Sequence, residues 1–313
     1  MEKNKMKIVF FGTPEISVPI LEILNEKYKL SLVVTQQDRK KGRGKKLLPP
    51  PVKEKALELG IEVFQPENIN SQEAIEILKG QEADLFVVIA FGQILKEEVL
   101  NIPKLYAINI HASCLPKLRG AAPINRAIIQ GHATSGVSIM KMERGLDTGD
   151  VALCEEIDIS NLNAEELSEK ISELGSKLIV EFIENLKAGK VRFDKQDSDL
   201  ATYADKIDKF TGYIDFETMD TKTICNLVRG LYKKPAASTT YKGERFKILK
   251  AEPVDTDVKA GLGEIIEVNK SLVVKTLDGA LSILEVQFPG KRIMTIEEHL
   301  AGNEFVKGEL LGG

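Results

Sequence analysis

Asn109, His111 and Asp147 are the side chains of this 313-residue chain best suited to hold a developing negative charge and move a proton. Asn109 and His111 stand in "AINIHA", an apolar run in which side chains alternate. Ala107, Asn109 and His111 therefore share one face of a strand, and Ile108 and Ile110 the other. Polar groups are costly inside a buried strand unless bonded. At the C-terminal end of a parallel strand they instead open into the crevice where α/β sheets take ligands. The asparagine offers an NH₂ donor and an oxygen acceptor, and the histidine can donate, accept or act as an acid near neutral pH. That pairing suits an oxyanion; a satisfied polar pair in the core is the alternative. Asp147 lies in "ERGLDTGDV", a Gly-flanked turn. An Asx-turn would explain it locally. A carboxylate beside His111 would raise the pKa of the imidazole and fix its orientation. The triplet DTG also occurs in aspartic proteases, but those need a second such carboxylate in a mostly β chain, and this sequence has one DTG in an α/β context.

Three further stretches bear on chemistry. In "SCLPKLRGAAP", Pro116 and Gly120 force a loop and Pro123 suits the first turn of a helix running through Gln130. A loop at a sheet's C-terminal edge offers backbone groups to a planar ligand. "RKKGRGKK", Arg39 to Lys46, holds six basic residues in eight and is read as a charged loop after the second strand. It lacks the spacing of a phosphate-binding P-loop, so it is either a solvated face or, beside a crevice, a contact for a phosphate backbone. "FGTPEIS" has one glycine where a dinucleotide fingerprint has three, which argues against a nicotinamide dehydrogenase. It reads as a tight strand–helix turn with Thr13 as N-cap and Pro14 at the first helical position.

Hydrophobic periodicity indicates the strands and helices that carry these residues. "KIVFFG", "LSLVVT", "IEVFQP", "DLFVVIAFG" and "AINIH" are short apolar runs separated by helical patterns, which predicts an α/β fold: a Rossmann-like, doubly wound, mostly parallel sheet. "GVSIMKM" and "VALCEEIDI" read as a later hairpin, followed by a long amphipathic helix with a glycine stop. This domain is expected over residues 1–189, with a polar linker over 190–208. Residues 209–313 hold one helix and several short strands with turn signals, as in a small OB-like β-barrel. With 43% hydrophobic and 29% charged residues the chain reads as soluble and globular. A net charge of −4 argues against a general nucleic-acid coat. No apolar run reaches the roughly 18 residues of a membrane span, and the N-terminal run is too short for a signal peptide; a cytoplasmic location without a membrane partner is expected. Cys114, Cys154 and Cys225 are scattered, implying neither a disulfide framework nor a metal site.

Taken together, "NIHASCLPKLRGAAP" and the later "GLDTGD" resemble the signature of the folate-dependent formyltransferase family. "FGTPEISVPIL", "VVTQQDRKKGRGKKLLPPPVK" and the two-domain length are similar to the branch of that family that acts on initiator methionyl-tRNA. The resemblance spans essentially the whole chain, strongest over residues 7–160 and weaker after about 210. It implies transfer of a formyl group from 10-formyltetrahydrofolate to an amine, with no metal or redox cofactor. Asn109, His111 and Asp147 match the family's catalytic trio. Ser113, Cys114, Leu115 and Pro116 match its folate-contacting segment. Arg43, with Lys45 and Lys46 beside it, matches the insertion that enters the tRNA acceptor arm, and the C-terminal barrel implies further tRNA contacts by a monomer. Two departures stand out: Cys114 replaces the usual leucine, and a chain without tryptophan carries Lys233 and Lys234, which offer phosphate contacts instead. A related enzyme acting on a small amine, such as a ribonucleotide or amino sugar, would share the trio but need neither the basic loop nor the second domain. A non-catalytic RNA-binding protein would leave the trio without a purpose.

Overall fold

A computed structural model describes residues 4–41 and 46–312. Its contacts divide the chain into two units. One comprises Met1–Gly120, Ser135–Ile157 and Ser168–Tyr203; the other comprises Ala121–Thr134, Asp158–Leu167 and Ala204–Gly313.

The first unit is built on a seven-stranded sheet. Its strands are β1 (Asn4–Gly12), β2 (Tyr28–Val34), β3 (Val63–Phe64), β4 (Leu85–Ile89), β5 (Tyr106–His111), β6 (Thr134–Lys141) and β7 (Val151–Asp158). Their order across the sheet is β7-β6-β5-β4-β1-β2-β3. Strands β1 to β5 run parallel, and β6 is antiparallel to β5. The hairpin strands predicted late in this domain thus extend a parallel core. Helices α1 (Val18–Lys27), α2 (Pro51–Glu58), α3 (Gln72–Gly80) and α4 (Glu97–Leu100) alternate with the parallel strands, and α6 (Ala164–Lys187) follows β7.

Both faces of the sheet are covered, as the continuous apolar runs require. Val9, Phe11, Phe86, Val88 and Ala107 pack with Ala74, Ile75 and Leu78 of α3 on one face. On the other, a Cβ added at Gly175 of α6 would lie 3.1 Å from Ile110 and 3.2 Å from Ile20 of α1, so the absent side chain lets these elements close up. The glycine of the first turn has a similar cause. A Cβ at Gly12 would come within 2.8 Å of both the Phe10 ring and Ser17. Close packing therefore accounts for this residue without a dinucleotide. The Thr13 hydroxyl does not cap a helix; it donates to the Phe91 carbonyl at 2.8 Å, and α1 begins only after a short 3₁₀ turn over Glu15–Ser17.

The second unit is an antiparallel β domain. Its strands β8 (Ala237–Tyr241), β9 (Glu244–Val254), β10 (Ile265–Val268), β11 (Leu272–Lys275) and β12 (Ala280–Gln287) lie in the order β8-β9-β12-β11-β10, and β13 (Met294–Thr295) pairs with β12. The β8–β9 hairpin turns through Lys242 and Gly243, both with positive φ, the geometry that matches the twist of the flanking strands. Helix α7 (Thr221–Gly230), capped by Asp220, buries Ile224, Leu227 and Val228 in this unit's core. Helix α5 (Pro123–Ile129) starts at the predicted proline. Lys233 forms an ion pair with Glu165 at 2.6 Å.

Arg43 and Lys45 lie outside the described residues. On either side of them, Arg39–Lys41 and Lys46–Leu48 pair as an antiparallel ribbon where the sequence suggests only a loop, and Lys46 is exposed. No helix of the described residues is long and apolar enough to cross a membrane.

Candidate active site

Strand β5 places Asn109 and His111 as the alternation requires. Asn109 is level with Val88 near the end of β4, and His111 lies one pleat beyond it, at the C-terminal edge of the parallel sheet. Asn109 is half-buried, and among the described residues no hydrogen bond occupies its amide. His111 is 5% exposed. Its Nε2 lies 3.1 Å from the Leu118 carbonyl oxygen. A carbonyl can only accept, so Nε2 carries the proton of the neutral ring and Nδ1 carries the lone pair. That Nδ1 faces Asp147 Oδ2 at 3.6 Å. The same Oδ2 accepts a hydrogen bond from the Gly120 amide at 2.8 Å. The structure therefore brings His111 and Asp147 together across 36 residues of sequence.

Two opposing effects act on the imidazole. Burial pushes the His111 pKa below its ordinary value of 6.5; the Asp147 carboxylate and the Leu118 carbonyl pull it back up without reversing that direction. The carboxylate acts in the expected direction, but burial outweighs it. Desolvation wins because the ring is almost wholly withdrawn from water, whereas the carboxylate is not within hydrogen-bond distance. At neutral pH the site presents a neutral imidazole with a free Nδ1, beside a carboxylate ready to stabilise the cation once formed.

The loop after β5 is held by its own backbone. Ser138 of β6, opposite His111 in register, donates through its hydroxyl to the Ser113 carbonyl at 2.8 Å and accepts from the Leu115 amide at 3.0 Å. Ser113 is buried and its hydroxyl donates to the Lys117 carbonyl at 2.6 Å. The Ser113 carbonyl and the Leu115 amide are thus already engaged, and Leu115 and Pro116 contribute apolar surface to a cavity of about 260 Å³. Cys114 sits beside Gly136 of β6, and the structure joins it to Cys154 of β7 as a disulfide, with Cα atoms 5.9 Å apart. Spacing of 40 residues gave no hint of that pairing; adjacency of the loop to the β6–β7 edge creates it. The replacement of the family's leucine by Cys114 acquires a structural partner in this way.

Asp147 itself has φ of +53°, a left-handed conformation that aspartate tolerates better than most residues. The turn also depends on Gly149, where an added Cβ would collide with the Lys141 carbonyl. Gly149→Ala should therefore displace the turn and lower kcat by roughly 10²-fold. Steady-state kinetics alongside a melting curve checks this: an unchanged kcat would show that the turn is not position-critical.

Two residues in this site escaped sequence reasoning. Arg119 is 3% exposed, and its Nε and Nη2 donate to Gln196 Oε1 at 3.1 and 2.8 Å. Gln196 lies in the stretch read as a surface linker and carries no local signal of function. Arg119 is one of two basic residues in its loop, and its burial, against the exposure of Lys117, is what sets it apart.

Known proteins resemble this chain in both sequence and fold. Residues 6–183 match the family described as Formyl transferase, and residues 206–304 match Formyl transferase, C-terminal domain. A curated relative from Clostridium tetani, a methionyl-tRNA formyltransferase, is 45% identical over 309 residues, covering 98% of this chain and 99% of its own. Solved structures are alike in fold. HypX from Aquifex aeolicus superposes with a TM-score of 0.66 at 18% identity over 96% of this chain, which spans about half (49%) of that longer protein. A methionyl-tRNA formyltransferase from Clostridium thermocellum gives a TM-score of 0.55 at 18% identity, covering 79% of this chain and 93% of its own. Matched in both halves by family and over nearly its full length by a close relative, the chain belongs to the formyl transferase family and is a formyltransferase.

Proposed function

We propose that this chain transfers the formyl group of 10-formyltetrahydrofolate to the α-amine of methionine esterified to initiator tRNA. The observation that carries the chemical reading is the buried, neutral His111 with its lone pair turned toward Asp147. Near-full-length similarity to a relative of that name supports the choice of substrate.

In this reading the ester makes the methionine amine less basic than in the free amino acid, so a neutral fraction attacks the formyl carbon. The Asn109 amide donates to the carbonyl oxygen as it becomes negative. His111 Nδ1 takes the proton released by the new C–N bond, and Asp147 stabilises the resulting imidazolium. His111 then returns the proton to the folate nitrogen as its bond to the formyl carbon breaks. His111 Nε2–H remains on the Leu118 carbonyl throughout, which fixes the ring. This refines the role expected of His111: its free nitrogen serves as the base, and oxyanion donation falls mainly to Asn109.

The folate cosubstrate fits the chemistry of the loop Ser113, Cys114, Leu115 and Pro116. Leu115 and Pro116 offer apolar surface for a flat ring, on a loop already rigid through Ser138. The 260 Å³ cavity there is smaller than a site for a whole drug-sized ligand, ~300–1,000 Å³, and would take only part of the molecule. Arg43, Lys45 and Lys46 of the basic stretch would meet the phosphate backbone of the acceptor arm. The chain would work as a monomer in the cytoplasm, with no membrane partner.

The test is formyl transfer by the purified chain from 10-formyltetrahydrofolate to methionyl initiator tRNA, with a ribonucleotide amine and an amino sugar as competing acceptors. Formylmethionyl-tRNA should form, and product from only a small amine would overturn the substrate assignment. Arg43→Ala should raise KM for the tRNA and reduce the slope of log binding against log salt by about one, as loss of one phosphate contact does.

A further inference from the structure

The peptide of Asp147 is clamped from the segment that follows α6. Gln196 Nε2 donates to the Asp147 carbonyl at 2.9 Å and to the Gly149 carbonyl at 2.6 Å. Its Oε1 accepts both bonds from the buried Arg119 guanidinium. The orientation of this amide is unambiguous: carbonyls only accept and a guanidinium only donates, so a flipped amide would lose all four bonds. Arg119 is held in turn by its own backbone, since its N–H donates to the Thr202 carbonyl at 2.9 Å. The next residue, Gly120, supplies the amide that binds Asp147 Oδ2. The carboxylate is therefore gripped at its side chain by Gly120 and at its main chain by Gln196, and Arg119–Gly120 underlies both grips.

We infer that Gln196, oriented by Arg119, is a positioning residue for formyl transfer, which sets the distance and angle at which Asp147 meets His111. The inference rests on the pairing of Asp147 with His111 proposed above. The turn needs such a brace, because Asp147 sits at positive φ and its carboxylate does not bond the ring directly. At 3.6 Å it faces His111 through electrostatics alone, and an electrostatic contact without a hydrogen bond keeps its geometry only if both partners are held elsewhere. His111 is held by Leu118, and Asp147 by Gly120 and Gln196. The buried guanidinium gives Gln196 its second role. A charge-assisted bond is stronger than a neutral one, so Arg119 fixes the amide rotamer that the two carbonyls require.

Two substitutions and a cycle test this. Gln196→Leu keeps most of the volume and removes all four bonds. Gln196→Glu keeps an acceptor for Arg119 but sets an oxygen against the two carbonyls. Both should lower kcat by about 10²-fold, the cost of a small misplacement of a catalytic group, with KM for folate and tRNA little changed. Glutamate should not rescue, because the lost bonds are donations. In an Asp147→Ala background, Gln196→Leu should add little further loss. Coupling of that kind separates positioning from general support of the fold, which would slow the two backgrounds equally. Equal slowing, or turnover near that of the parent for Gln196→Glu, overturns the inference while leaving Asp147 in the mechanism. Normal turnover of Asp147→Ala alone removes the mechanism itself, and the positioning role with it.

Discussion

Replacement of His111 by alanine should lower kcat by about 10²–10⁴-fold, the usual worth of acid–base help, with KM for either substrate much less affected. The same residue sets the pH dependence. Its folded pKa lies below 6.5, so the neutral base is present at neutral pH and is lost as pH falls through the lowered value. The acid limb of the kcat profile should therefore fall below pH 6.5. Asp147→Asn removes a charge that raises the pKa, so it should move that limb lower still while reducing the plateau rate, since the imidazolium formed during transfer loses its stabilising neighbour. An acid limb that moves upward in this variant would contradict the assignment of base and carboxylate. The linkage has a stability consequence of the same sign. The unfolded histidine binds a proton that the buried one resists, so stability present above about pH 6.5 declines as the solution is acidified below it.

Asn109→Ala should lower kcat by about 10²–10³-fold, corresponding to roughly 2.7–4 kcal/mol for one oxyanion donor. The amide is free of internal partners among the described residues and stands at the open end of the strand, so truncation leaves no buried donor or acceptor orphaned. The loss should fall on kcat, with a melting temperature close to the parent. Asn109→Asp, nearly the same shape, should be at least as damaging, because a carboxylate cannot donate and repels the developing charge. A fall in affinity for folate with kcat preserved would place Asn109 in substrate binding instead.

The two polar residues of "AINIHA" were legible because a strand's side chains alternate and the apolar run ends there. That periodicity is local and needs no tertiary knowledge. The parallel sheet was legible for the same reason, since strands buried on both faces must be apolar throughout. Thr13 was misplaced because a hydroxyl beside a proline can either cap a helix or reach across the sheet, and packing at Phe91 decided between them. The pairing of Cys114 with Cys154 left no trace in spacing, since it follows from the adjacency of a loop to strand β7.

Local patterning along the chain accounts for the residue types available for chemistry, the strand face shared by Asn109 and His111, the alternation that builds the α/β unit and the strand-rich second unit. Each of these is carried by contacts or periodicities within a few residues of the chain. The neutrality of His111, the nitrogen that carries its proton, and the bracing of Asp147 by Gln196 from an apparent linker emerge only once the chain is folded. Those properties depend on burial and on the direction of hydrogen bonds between residues tens of positions apart, and neither is encoded in any short stretch of sequence.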